Sequence, residues 1–274
     1  MMTAVNVETV ETRVGKIELR HGGAGSPVVY LHSAAGEGNG VEFFDELANT
    51  HEVFAPQFPG FGASEGIEQI DDMEDAVFHL LDLFDTLGLE SPAVMGLSLG
   101  GWMAVELATR YPDRVSKLII ANPAGLYIEG APIKDIFGRS PREMAMDLFA
   151  EESHPAAQIM LQIEREMSDV AGMGQAIPFE LLKPQLQALT ATARLGWNPY
   201  LHNPRLPKRL YRITAPTLVI HGEKDGLIPG AHAEMYAREI PGAKLVEMPG
   251  VAHMIPLEKP QELAAIVNEF LAGA

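Results

Sequence analysis

The chain has 274 residues, 37 acidic side chains against 20 basic ones, a formal net charge of −17 at pH 7, and 47% hydrophobic residues. That balance argues against nucleic acid or an anionic membrane as partner, because phosphate binding needs clustered Lys and Arg; the charge reads as solubility. The size and apolar content suit one large domain carrying an insertion, and the absence of cysteine excludes disulfides, thiolate metal sites and a cysteine nucleophile.

Met1 to Arg20 alternate polar and apolar residues without the apolar core of a secretory signal, and no uninterrupted apolar run reaches membrane length. The expectation is a soluble cytoplasmic protein, monomer or homodimer, without membrane insertion. Val7 to Leu19 reads as an antiparallel hairpin around Gly15. Pro27 to Leu31 is a continuous apolar run, the pattern of a strand covered on both faces. It opens into the small-residue loop His32-Ser33-Ala34-Ala35-Gly36, where backbone can approach a ligand and Ala34 N–H is a candidate oxyanion donor; a plain strand-to-helix turn explains the loop equally well.

Phe43 to Leu47 reads as a short helix, His51 to Pro56 as a strand, and Pro59-Gly60-Phe61-Gly62-Ala63-Ser64 as an irregular loop. Met73, Ala76, Val77, Leu80, Leu81, Phe84 and Leu87 then repeat at helical spacing, opened by Asp71-Asp72 and stopped by Gly88. That stripe is core packing. Next comes Pro92 to Trp102, in which an apolar run meets Gly96-Leu97-Ser98-Leu99-Gly100 and continues as a helix. A serine can present its hydroxyl on such a sharp bend only where the residues two before and two after lack side chains. Ser98 is the candidate nucleophile, and the N–H of Leu99, at the positive end of the following helix, is a candidate oxyanion donor. A buried serine in a tight turn is the competing reading.

Val115 to Ala121 is a further buried strand. Short apolar runs alternating with helices imply right-handed crossovers and a mostly parallel sheet, hence an α/β fold. From about 126 to 207 the alternation stops. Ser140-Pro141-Arg142-Glu143 reads as a capping box opening a helix through Phe149, followed by helical runs from Pro155 to Val170 and from Phe179 to Arg194, the last kinked or split by Pro184. We read 126–207 as a helical cap between core segments 1–125 and 208–274. Met144, Met146, Met160, Met167 and Met173 suit either an adaptable pocket or the packing of the cap itself.

The strand pattern returns at Thr217 to Ile220, followed by His221-Gly222-Glu223-Lys224-Asp225-Gly226; a helix at Ala231 to Glu239, a strand at Lys244 to Met248, Pro249-Gly250-Val251-Ala252-His253 and a final helix at Gln261 to Leu271 complete the chain. Ser98, Asp225 and His253 thus each follow the carboxyl end of an expected strand, the edge where an open α/β sheet gathers its ligand groups. Imidazole takes and returns the hydroxyl proton, and carboxylate fixes the imidazole tautomer.

With these residues, His32, the Pro59 to Ser64 loop, Gly96 to Gly101 and Pro112-Asp113-Arg114-Val115, the chain resembles the α/β-hydrolase fold family, in its capped serine hydrolase branch. The resemblance implies Ser98 as nucleophile, His253 as general base, Asp225 as orienting acid, and Leu99 and Ala34 N–H as the oxyanion hole. Some members carry the acid after the preceding strand, where this chain has Asn122. Ser33 stands where the family has glycine, and a serine nucleophile counts against the dehalogenase and epoxide-hydrolase branches, which form an alkyl-enzyme carboxylate.

Candidate substrate contacts are His32, Ser33, Met254, Trp197 and Arg194. His32 alternatively braces its loop and Trp197 alternatively anchors the cap. His221 is expected in a structural hydrogen bond, and His21, His51, His79, His154, His202 and His232 on the surface or in the cap. The leading expectation is a carboxylesterase acting on small to medium apolar esters through an acyl-enzyme, without metal or organic cofactor. The competing enzyme is a carbon–carbon hydrolase of vinylogous diketone ring-cleavage products, whose members commonly carry Trp after the catalytic His and a lid arginine; here Met254 follows, and Arg194 is the possible counterpart. A ligand sensor with little turnover is the reading outside enzymes.

Overall fold

The computed structural model describes residues 5–37, 41–172 and 179–273. β1 (Asn6–Thr12) and β2 (Gly15–Gly23) form the expected hairpin. Then follow β3 (Pro27–Leu31), α1 (Glu42–Ala48), β4 (Glu52–Pro56), α2 (Met73–Thr86), β5 (Ala93–Leu97), α3 (Leu99–Arg110) and β6 (Lys117–Ala121). Three helices come next, α4 (Pro141–Leu148), α5 (Pro155–Gly172) and α6 (Phe179–Gly196), before β7 (Thr217–Gly222), α7 (Ala231–Glu239), β8 (Lys244–Met248), α8 (Ile255–Glu258) and α9 (Pro260–Ala272).

The eight strands form one sheet in the order β1-β2-β4-β3-β5-β6-β7-β8. β1 and β2 run antiparallel to their neighbours, and every pairing from β4 to β8 is parallel. The strands that read as unbroken apolar runs, β3, β5, β6 and β7, are the central ones and are almost wholly buried. Helices cover both faces of such a sheet, which removes the reason for a polar face. Loops leaving the carboxyl ends of these parallel strands therefore meet on one edge.

Local signals act as their chemistry requires. Asp72 caps α2 by accepting the N–H groups of Glu74 and Asp75, and Ser140 with Glu143 forms the reciprocal capping box of α4. At Pro184 the sequence left a kink or a split open. α6 is not split at Pro184 but runs through it; the lost bond lies in the second turn, and the later turns keep their own ladder. The short α8, directly after Met254, has only four residues and so gives no period in the sequence from which a helix could be recognised.

His79 was expected on the surface, yet it is 3% exposed, edge-on to Phe58 with ring centroids 5.6 Å apart. Burial alone lowers its pKa to about 4. The unfolded chain therefore binds a proton that the folded chain refuses between about pH 6.5 and about 4, and stability falls as pH drops through that window. We expect this residue to remove up to about 3 kcal/mol by the acid end of the window, the equivalent of its shift in free energy. Urea titrations of His79→Leu at pH 7, 5.5 and 4.5 should show a shallower loss than the parent; parallel losses would assign the slope elsewhere.

Candidate functional site

Ser98 joins β5 to α3 with φ 56° and ψ −113°, a conformation that non-glycine residues hold only when their surroundings force it. The forcing is steric. A Cβ on Gly96 would lie 2.2 Å from the Gly100 carbonyl oxygen, and one on Gly100 would lie 2.0 Å from that of Leu31. Only glycine lets the strand, the bend and the helix come this close. Leu99 is the first residue of α3, so its N–H has no acceptor inside the helix.

Asp225 leaves the end of β7 and is fixed on both oxygens. Oδ1 accepts the N–H groups of Leu227 and Ile228 at 2.8 and 2.9 Å, while Oδ2 accepts His253 Nδ1–H at 2.8 Å. The two side chains are 0% and 2% exposed. With Nδ1–H donating to the carboxylate, Nε2 is the nitrogen left to exchange protons. Glu223, the nearest other carboxylate in sequence, instead accepts Gly250 N–H at 2.8 Å.

Two groups that the sequence reading did not assign to the site hold the His253 loop. Asn122, fully buried at the end of β6 with φ 41°, donates Nδ2 to the carbonyls of Ala252 and His253 at 3.2 and 3.0 Å. Its Oδ1 accepts Gly222 N–H at 2.9 Å and lies 3.1 Å from His221 Nδ1. One amide thus ties the ends of β6 and β7 to the loop carrying the imidazole. Glu258, in α8, accepts Ala252 N–H and Ala150 N–H at 2.9 and 2.8 Å; burial raises its pKa above the usual carboxylate value, and these two donors oppose that rise. The signal for Asn122 was its position at a strand end followed by Pro123, but a single sequence does not reveal four partners so far apart along the chain.

Between β3 and α1 the loop from His32 to Gly36 is a closed set of hydrogen bonds. His32 Nδ1–H donates to Ser33 O at 2.6 Å, and His32 Nε2 accepts Phe58 N–H at 2.9 Å. This requires a neutral ring, and burial lowers its pKa accordingly. Ser33 N–H donates to Glu37, Ala35 N–H to Ser33 Oγ, and Gly36 N–H to Ser33 O. Among the described residues Ala34 N–H has no acceptor.

A cavity of about 380 Å³ has Ser98, His253, Leu99 and Ala34 on its wall. Ser33 and Met254 line it as well, together with side chains of α4, α5 and α6 that include Met144 and Met160. Three of the expected substrate contacts lie elsewhere. His32 is a buried brace for its loop, held by the two bonds above. Trp197 is 64% exposed and packs edge-on against Phe137, centroids 5.1 Å apart; a fixed position beside an aromatic partner suffices for it. Arg194 donates to the Ile70 carbonyl at 3.1 Å and lies 3.3 Å from Asp71 Oδ1, so its charge joins α6 to the start of α2. The only Lys or Arg on the described lining is Arg139, from the loop before α4, with Nε 3.0 Å from Asp147 and Nη1 3.3 Å from Glu143. His232, expected at the surface, is buried and reaches the Ala131 carbonyl at 2.8 Å. Met146 is exposed, and Met173 lies outside the described residues.

The arrangement can carry out acyl transfer: a hydroxyl on a strained turn, an imidazole oriented by a buried carboxylate, and two backbone N–H groups on the same wall. A family model described as alpha/beta hydrolase fold matches residues 26–260. The 2-hydroxymuconate semialdehyde hydrolase of Pseudomonas sp. (strain CF600) is 28% identical over 94% of this chain and 91% of its own length. The 2-hydroxy-6-oxo-2,4-heptadienoate hydrolase of Pseudomonas putida strain F1 is 26% identical over 99% of each chain. Among solved structures, a 2-hydroxy-6-oxo-6-phenylhexa-2,4-dienoate hydrolase from Rhodococcus sp. strain RHA1 superposes with a TM-score of 0.74 at 23% identity, over 98% of this chain and 100% of that one. No described helix is long and apolar enough to cross a membrane.

Proposed function

The chain belongs to the α/β-hydrolase fold family, and from that premise we propose that it hydrolyses a carbon–carbon bond in a small, carboxylate-bearing vinylogous diketone, using Ser98, His253 and Asp225 as a catalytic triad. The observation that carries the chemistry is the Asp225 to His253 hydrogen bond opening onto the same cavity as Ser98. What favours this bond over an ester is the near full-length similarity to two hydrolases whose names specify dienoate or muconate semialdehyde substrates.

In this reading His253 Nε2 takes the Ser98 proton as Oγ attacks the ketone carbon. The Ala34 and Leu99 N–H groups receive the oxyanion, and the substrate, ketonised beforehand, loses its dienoate portion as a stabilised carbanion that is then protonated. Water activated by His253 releases the acyl group as a carboxylic acid. The described helices of the 126–207 segment, α4, α5 and α6, which contribute to the cavity lining, act as its cap. Arg139, the cation on the described lining, replaces Arg194 as the partner of the substrate carboxylate.

Arg139→Met should therefore lower kcat/KM for a dienoate diketone by about 10 to 100-fold, the range for losing one charged hydrogen bond. Arg194→Ala should leave it within about threefold, as an exposed pair contributes little. Steady-state absorbance assays of both variants on the diketone and on p-nitrophenyl butyrate test this. One observation supports the ester as a second reading: apart from Arg139, the cavity wall is largely aliphatic, with Ile133, Ile136 and Leu227 among its residues. A wild-type enzyme that turns over the ester faster than the diketone, with no response to Arg139→Met, would establish that reading instead.

A further inference from the structure

Glu37 is 6% exposed, in the loop between β3 and α1. A carboxylate in such a place is a poor source of stability unless donors surround it, and a well-packed apolar residue would serve the fold better. Here donors do surround it. Tyr30 O–H and Ser33 N–H reach Oε2 at 3.3 and 2.8 Å, and Ser33 O–H reaches Oε1. Tyr30 is itself fixed, its ring edge-on to Phe44 with centroids 4.9 Å apart. Gln57 Nε2 donates to the Glu37 carbonyl at 3.4 Å, which ties the same residue to the end of β4.

We propose that Glu37 is a positioning residue for acyl transfer at Ser98: its carboxylate turns the Ser33 N–H and hydroxyl inward, and so leaves the Ala34 N–H as the loop's donor to the oxyanion. The proposal rests on the reading of Ser98 as nucleophile. It accounts for the serine that replaces the family's glycine after His32, because Ser33 is the residue through which the carboxylate grips the loop. The Ser33 hydroxyl donates to Glu37 and accepts Ala35 N–H at 3.0 Å. The Ser33 carbonyl accepts His32 Nδ1–H and Gly36 N–H at 2.6 and 3.1 Å. That carbonyl belongs to the same peptide unit as Ala34 N–H, and hydrogen bonds received at its oxygen polarise the unit and strengthen its N–H as a donor.

The test uses the full chain carrying Glu37→Gln, Ser33→Gly and both together. Glu37→Gln keeps the side-chain shape but exchanges one acceptor oxygen for a donor. The readouts are the second-order rate of Ser98 labelling by a fluorophosphonate, kcat and KM on p-nitrophenyl acetate, and thermal midpoint. The expected result for Glu37→Gln is a labelling rate and kcat lower by about 10 to 100-fold with KM within about threefold, a loss somewhat below that of deleting an oxyanion donor outright. Because both residues act through one contact, the double variant should be little slower than the slower single one. A folded Glu37→Gln enzyme with unchanged labelling and kcat but a lower midpoint would make the residue structural only and overturn the proposal, as would effects that multiply in the double variant. If Glu37→Gln does not fold, Ser33→Gly alone decides: a wild-type labelling rate overturns the proposal, and a slowed one supports it. Persistence of activity in Ser98→Ala is a separate outcome that removes the nucleophile reading itself.

Discussion

Ser98→Ala is expected to abolish turnover and fluorophosphonate labelling while leaving the fold intact. Loss of the nucleophile of a serine triad reduces kcat by about 10⁶-fold, the residue of catalysis coming from the remaining site. Alanine differs from serine by one oxygen, and no side-chain cap bond of Ser98 supports α3, so the thermal midpoint should move little. The backbone bonds that set the turn, Ser98 N–H to Ala121 O at 3.0 Å and Trp102 N–H to Ser98 O at 3.0 Å, do not involve the hydroxyl. A burst experiment with active-site titration adds a discriminator against the ligand-sensor reading, in which the wild type would release at most a few equivalents of product. Undiminished labelling of the alanine variant would falsify the assignment of Ser98.

Asp225→Asn should cost about 10⁴-fold in kcat, the loss seen when a triad acid becomes an amide and the imidazole takes the wrong tautomer. The geometry separates this catalytic effect from stability. Asparagine still offers an oxygen to the N–H groups of Leu227 and Ile228, the two bonds that hold the loop. What it cannot do is accept His253 Nδ1–H with the neighbouring NH₂. Stopped-flow acylation by p-nitrophenyl acetate, measured beside a thermal melt, checks both halves. A loss of less than tenfold in a well-folded variant would return the acid role to another carboxylate. Glu223 would be a weak successor, since one of its oxygens already accepts Gly250 N–H.

The fold class and the chain order of the reactive types are legible along the chain, because both are written in local terms. Continuous apolar runs mark strands covered on two faces, helical spacing marks the crossovers, and the glycines around Ser98 are a steric requirement readable two residues either way. Ser140 with Glu143 and Asp72 at its helix start are legible for the same reason: their partners lie within three residues.

Which groups share a wall is set by packing between segments far apart along the chain. Arg194 looked like a substrate cation because nothing in sequence places Ile70 and Asp71 beside it, more than a hundred residues away. Arg139 gave no local sign of lining the cavity, where the folded chain places it. Asn122 carries no distinguishing pattern, yet its amide reaches residues 99 to 131 positions distant. His79 and His232 were misplaced because a single buried imidazole breaks no apolar period. Nothing local in the sequence singles out Glu37, and the donors that make burial of its carboxylate tolerable come from Tyr30 and Ser33. Periodicity records which face of an element is covered; it holds no information on what covers it, and the chemistry of this site lies in those long-range choices.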